Sequence, residues 1–203
     1  MANATPAQQQ KRNVYLTGFS KFDSIVENAT THIVNAIAEG ASLTVAVVLE
    51  VSAEGRLLGN ARPIAKKAEE PDRPCVFLRM GVDADSTKFS LEYNLADFRT
   101  PDERGWVAQN VVINADEDDA LKTMLPLDEM LADLERVNAN ARISTDPGRY
   151  ICNYVYFHSL HWVKTQDANH YALFLHVPEF ELIPMDEQVQ FVRRVIELVA
   201  ALD

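Results

Sequence analysis

Acyl transfer by a cysteine nucleophile needs a thiol, an imidazole and a carboxylate, and the sequence offers one candidate of each in Cys152, His176 and Glu92. Cys152 lies in STDPGRYICNYVYF, after a turn-forming Pro147-Gly148 and before an aromatic-rich segment of helical character. That places it near the N-terminus of a helix, where unpaired backbone N–H groups and the helix dipole favour a thiolate. On these residues alone, a free cysteine beside Ile151 is more commonly a small buried hydrophobe. His176 ends the run YALFLHV just before Pro178 stops a strand, which would bring it to the same sheet edge as Cys152 in the role of a base. The same position also suits a histidine bonded to a backbone carbonyl. Glu92, in FSLEYNLADF, is a carboxylate among apolar residues. If buried it needs a partner, which a histidine supplies; if exposed it is an ordinary strand glutamate. His158 and His161 lie three apart on one helix, yet no third ligand of suitable spacing accompanies them, so they read as packing or surface residues. His32 and His170 carry no signal.

The elements that must position these groups alternate in type. Short β-rich runs at VYLT (14 to 17), LTVAVVLE, CVFLRM (75 to 80), ARIST and YALFLHV (171 to 177) are interleaved with segments of helical period. Helices are expected after Asn28, which can cap the first of them with Ile33, Val34 and Ile37 on its buried stripe. Others are expected near 53 to 69, at 127 to 138, from Cys152 to about Lys164, and at the end of the chain with Val189, Val192, Val195, Ile196 and Val199 on one face. CVFLRM is apolar at nearly every place, as a strand covered on both faces is. The pattern predicts a single-domain α/β fold: a doubly wound, mostly parallel twisted sheet with helices on both faces, spanning residues 13 to 203. Residues 81 to 126 read as an irregular insertion and the polar residues 1 to 12 as a disordered tail. In such sheets working residues gather outside the carboxyl ends of the strands, here the loops after VYLT and CVFLRM and the ends of ARIST and YALFLHV.

Composition narrows the class of partner. With 30 acidic against 19 basic residues and a formal charge of -11, the chain is a poor match for nucleic acid or an anionic membrane surface. Its two cysteines, Cys75 and Cys152, lie far apart without a metal-binding spacing, which predicts a reducing, intracellular setting. No apolar run approaches the roughly 20 residues of a membrane-spanning helix. A soluble, cytoplasmic protein is expected, and whether it self-associates is left open.

Taken together, VYLTGFSKF, MGVDADSTKFSLEYN, FRTPDERG, STDPGRYICN, FLHVP and the closing helix resemble the pyroglutamyl peptidase I family, the pyrrolidone-carboxylate cysteine peptidases, in that order along nearly the whole chain. The Gly-x-Tyr-x-Cys-Asn and His-Val-Pro blocks are the specific ones. The resemblance implies that Cys152 is the nucleophile, His176 its base and acid, and Glu92 the group that orients the histidine. It further implies removal of an N-terminal pyroglutamyl residue from peptides and proteins through a thioester, with no metal or organic cofactor. By the same resemblance Phe19 and Phe22 contact the lactam ring, and backbone groups near Val82 and Ile151 meet its polar edge. The oxyanion donors would be the backbone N–H of Cys152 and the Arg99 guanidinium; Arg99 could equally pair with Asp102 at the surface.

The first loop departs from the family pattern, with Lys21 in place of a proline and Asp23-Ser24 in place of a glycine pair. After the second strand the chain reads LEVSAEG rather than a Val-Pro pair, and the acidic residues 115 to 119 have no counterpart. Two alternatives follow: a thiol amidohydrolase with a changed acyl specificity, and a catalytically silent α/β binding protein.

Overall fold

The structure is a computed structural model, and the residues it describes are 12–22, 25, 27–38, 43, 45–51, 74–93, 121–136, 140–148, 151–166 and 169–202. Its strands are β1 (Asn13–Phe19), β2 (Val45–Leu49), β3 (Cys75–Val82), β4 (Phe89–Glu92), β5 (Ala141–Ser144) and β6 (Tyr171–Val177). Its helices are α1 (Ala29–Ala38), α2 (Leu127–Arg136), α3 (Ile151–Lys164) and α4 (Met185–Ala200). The helix expected near 53 to 69 and the acidic residues 115 to 119 lie outside the described residues.

Alternation along each strand divides its side chains between two cores. Val14 and Leu16 of β1, Val76, Leu78 and Met80 of β3, and Leu173, Leu175 and Val177 of β6 pack against α1, α2 and α4. Tyr15, Phe77, Ala172 and Phe174 point the other way and pack under α3. Every residue of β3 is buried, as its continuous apolar run predicts. Fully buried leucines such as Leu78, Leu173 and Leu175 each contribute about 1.5–3 kcal/mol by leaving water. Asn28 caps α1 as expected: its Oδ1 accepts from the Thr30 backbone N–H at 3.0 Å. On α4 the buried stripe is Gln188, Phe191, Val192, Val195, Ile196 and Val199, with Val189 only half-buried at its margin.

The sheet runs β2-β1-β3-β6-β4-β5. The pairs β1 with β2, β1 with β3 and β3 with β6 are parallel, which is the expected doubly wound core. Two features of the other half differ from expectation. Phe89–Glu92, inside the stretch read as irregular, forms β4, fully buried and antiparallel to β6. Four residues are too few to register as a period, and burial on both faces removes the polar alternation that marks a surface strand. β5 pairs parallel with β4, so it too runs against the main sheet, and the carboxyl end of ARIS points away from the edge where β3 and β6 end. Only the loop that follows it returns to that edge. Arg12, counted with the tail, is buried instead: its side chain donates to the carbonyls of Leu202 and Asn169 and lies over the Tyr171 ring. Among the described residues no helix is long and apolar enough to cross a membrane.

Candidate active site

The carboxyl ends of β3 and β6 meet side by side, with Gly81 opposite His176 and Val82 opposite Val177. Over this edge the N-terminus of α3 delivers Cys152, its second residue, so that the Cys152 backbone N–H is among the donors the helix leaves unpaired. The thiol can come this close because β3 carries a glycine there. A Cβ on Gly81 would lie 2.8 Å from the Cys152 sulfur and 3.1 Å from the Phe174 ring.

His176 joins the three chemical groups. Its Nδ1 lies 2.8 Å from Glu92 Oε1, and its ring also makes a side-chain hydrogen bond with Cys152. With Nδ1 taken by the carboxylate, Nε2 is the nitrogen left for the sulfur. The reach across the sheet follows from register: Glu92 sits opposite Phe174 and Ser90 opposite His176, so glutamate and histidine are diagonal neighbours on one face of an antiparallel pair. All three groups are buried, Glu92 to 1% exposure and Cys152 and His176 to 7% each. Burial works against the imidazolium, but the hydrogen bonds and charges of Cys152 and Glu92 outweigh it and raise the histidine to about 10. Among the described residues, Glu92 Oε2 has no hydrogen-bond partner.

Cys152 and His176 open into a cavity of about 360 Å³. Phe22, Ile25 and Val82 form an apolar wall; Asp83, Asp85, Asp146 and Glu179 line it with carboxylates, of which Asp85 and Asp146 are exposed. Phe22 is held by a two-way backbone pairing with Ile25. Phe19 and Ile151 do not line this cavity; both are buried behind it in the same apolar cluster as Cys152. The start of the first loop is tied to α1, since Phe19 N–H donates to Thr30 Oγ1 at 2.8 Å and Thr31 Oγ1 donates to the Phe19 carbonyl at 2.7 Å. Arg99 lies outside the described residues, as do Asp102, Asp23 and Ser24. Among the described residues no group of three His, Cys, Asp or Glu side chains could hold a metal. On α3, His161 instead stacks against Phe157 and His158 meets the same ring edge to face.

A second cysteine–histidine contact lies at the opposite edge of the sheet. Cys75 backbone N–H donates to His170 Nδ1 at 3.1 Å, and the Cys75 sulfur lies 3.1 Å from the same nitrogen. Burial pushes this thiol up to about 12 despite the nearby Arg12 and Arg79 cations. His170 is lowered by burial and by the Arg12 charge. The pair is therefore a neutral thiol on a neutral imidazole, which is packing rather than nucleophilic chemistry. Nothing in the sequence marks His170 for this contact, whereas the close approach at Gly81 has a faint signal, a glycine ending an otherwise apolar run.

The His176 environment sets an expected pH response. The imidazolium holds its proton below about pH 10 and loses it above, so a rate that depends on this proton falls on the alkaline side. Glu92→Gln removes the carboxylate charge that raises the histidine, and the alkaline limb is expected to move to lower pH. Measured rate profiles of the two proteins check this; coincident limbs would show that the carboxylate does not act on His176.

A model of the pyroglutamyl peptidase family matches residues 12–191. The chain is 29% identical over 172 residues to a pyrrolidone-carboxylate peptidase of Pyrococcus furiosus, covering 81% of this chain and 80% of that protein. It is 26% identical over 174 residues to one of Bacillus licheniformis, covering 82% and 78%. Among solved structures, the pyrrolidone carboxyl peptidase of Thermus thermophilus superposes with a TM-score of 0.73 at 26% identity over 92% of this chain and 99% of that one. That of Thermococcus litoralis gives a TM-score of 0.79 over 93% of each chain at 22% identity, a likeness of fold.

Proposed function

The chain belongs to the pyroglutamyl peptidase family, and from that premise we propose that it is a cysteine exopeptidase that removes an N-terminal pyroglutamyl residue from peptides. The observation that carries the reading is His176, held by Glu92 on one side and hydrogen-bonded to Cys152 on the other, at a cavity with an apolar wall. A pyroglutamyl residue is a flat neutral lactam without an ammonium group, and Phe22, Ile25 and Val82 offer it an apolar surface.

In the proposed reaction the Cys152 sulfur attacks the pyroglutamyl carbonyl carbon, a C–S bond forms, and the carbonyl oxygen takes the electron pair. The backbone N–H of Cys152, in the first turn of α3 where a helix has no carbonyl of its own to bond, is the donor proposed for that oxyanion, with Arg99 as its partner by family resemblance. His176 then passes its proton to the departing amine nitrogen as the C–N bond breaks, leaving a thioester. A histidine raised to about 10 holds that proton at neutral pH. The neutral imidazole next takes a proton from water, the hydroxide adds to the thioester, and the C–S bond breaks to release pyroglutamate and restore the thiolate–imidazolium pair. Glu92 keeps Nδ1 engaged and stabilises the imidazolium throughout. Phe19 and Ile151, buried behind the cavity, are proposed to support Phe22 and Cys152 from below.

A changed acyl specificity is the second reading, favoured by the altered first loop, where Lys21 stands in place of the family's proline. Hydrolysis of a fluorogenic pyroglutamyl amide beside prolyl and glutamyl analogues separates the two. The proposed function predicts turnover of the pyroglutamyl amide at least about a hundredfold above either analogue, a margin well inside the roughly 10⁴-fold by which a site built to hydrogen-bond a substrate group rejects an analogue lacking it. Thiol-dependent turnover of another amide, with none of the pyroglutamyl amide, would sink it.

A further inference from the structure

The carboxylate that holds His176 is itself held from one side only, since Oε1 bonds the histidine and Oε2 has no hydrogen-bond partner among the described residues. Its direction must therefore be set by where the Glu92 backbone sits. Glu92 is the last residue of β4, and Glu92 opposite Phe174 is the last register pair between β4 and β6. At that pair the hydroxyl of Tyr156 donates to the Glu92 carbonyl at 2.8 Å and also makes a backbone hydrogen bond with Phe174. The Thr123 hydroxyl, beside the same phenol, donates to the Ala172 carbonyl of β6 at 2.7 Å. Burial, with the Glu92 charge, pushes the phenol far above its usual range, so it remains a protonated donor. Tyr156 is fully buried, and its ring tilts against Phe174 at 5.9 Å, which in turn lies 4.9 Å from the His176 ring.

Tyr156 also stands four residues after Cys152 on α3, so the two share one face of the helix, one turn apart. One rigid element therefore presents the sulfur to His176 and grips the strand that presents the carboxylate to the other side of the same ring. We infer that Tyr156 is a positioning residue of the catalytic group, acting through Glu92: its hydroxyl fixes the end of β4 relative to α3 and so sets the Cys152, His176 and Glu92 alignment. The inference rests on the reading of those three residues given above.

Tyr156→Phe keeps the ring and removes only the hydroxyl. With the pyroglutamyl amide, kcat is expected to fall about tenfold while KM stays within about twofold, the signature of an interaction that matters in the transition state. The alkaline limb of the kcat profile should move to lower pH, in the direction expected for Glu92→Gln. In the Glu92→Gln background, Tyr156→Phe should cost no more than about twofold, because a residue acting through Glu92 has nothing left to position. Alkylation of Cys152 by iodoacetamide at pH 7, with the modified site read by mass spectrometry, should slow in Tyr156→Phe and requires no substrate. Wild-type kcat and pH limb in Tyr156→Phe, or a full tenfold loss retained beside Glu92→Gln, overturns the inference. If the wild-type protein does not hydrolyse the pyroglutamyl amide, the proposed function fails, and the alkylation rates alone decide the role of Tyr156.

Discussion

Cys152→Ala is expected to lower pyroglutamyl amide hydrolysis by about 10⁴-fold or more, the scale of losing a nucleophile whose partners act only through it, while Cys75→Ala retains activity within about threefold. Both cysteines are buried and both lie against a histidine, so residue type and burial do not separate them. Their surroundings do. His176 faces the Glu92 carboxylate, which favours its protonated form. His170 faces the Arg12 cation, which disfavours protonation, and burial holds the Cys75 thiol neutral. The Cys152 sulfur also reaches the cavity, whereas Cys75 begins β3 at the far edge of the sheet. The substitution at Cys75 is expected to cost only about 1 kcal/mol of stability, as a modest buried change does. Initial rates on the three proteins, with urea midpoints to confirm folding, check the contrast. Undiminished hydrolysis by Cys152→Ala would falsify the mechanism, and loss of all turnover in a folded Cys75→Ala would move the nucleophile to the other edge.

Gly81→Ala is expected to lower kcat by about a hundredfold without removing a reacting group. Its new Cβ would stand 2.8 Å from the Cys152 sulfur and 3.1 Å from two carbons of the Phe174 ring, closer than packed atoms tolerate. Phe174 is fully buried between the Tyr156 and His176 rings and has no room to retreat. The sulfur must give way, and a misplacement near 1 Å is enough for a loss of about 10²-fold. Forcing a methyl group into this core should also cost about 1–3 kcal/mol. Both effects are read together, kcat from initial rates and stability from urea denaturation. Activity within threefold of wild type would mean that the thiol has more freedom than this packing allows.

Tyr156 has no signature of its own in the chain, and Gly81 only a faint one. Tyr156 is one aromatic among several in YICNYVYF, and only the register of β4 against β6 reveals what its hydroxyl grips. Gly81 ends an apolar strand run, and the reason for it is a sulfur that lies far away in sequence. Cys152, His176 and Glu92 could be picked out as candidates from their local settings, a cysteine opening a helix, a histidine closing a strand and a carboxylate among apolar residues, each with a packing or surface reading beside it.

Among the described residues, local periodicity and capping settled the four helices, five of the six strands and the α/β class, because those patterns arise between residues a few positions apart. The sequence likewise marked the thiol and imidazole, since each sits at the end of an element whose boundary is a local event. Direction and pairing in the second half of the sheet were decided only by the tertiary structure. β4 and β5 run against β6, so Glu92 reaches His176 as a diagonal cross-strand neighbour, from a strand too short to declare itself. The physical reason is that strand register and orientation are fixed by hydrogen bonds and burial between distant segments. Such contacts give Glu92 its partner, give Tyr156 its grip and leave Cys75 inert, and no window of neighbouring residues contains them.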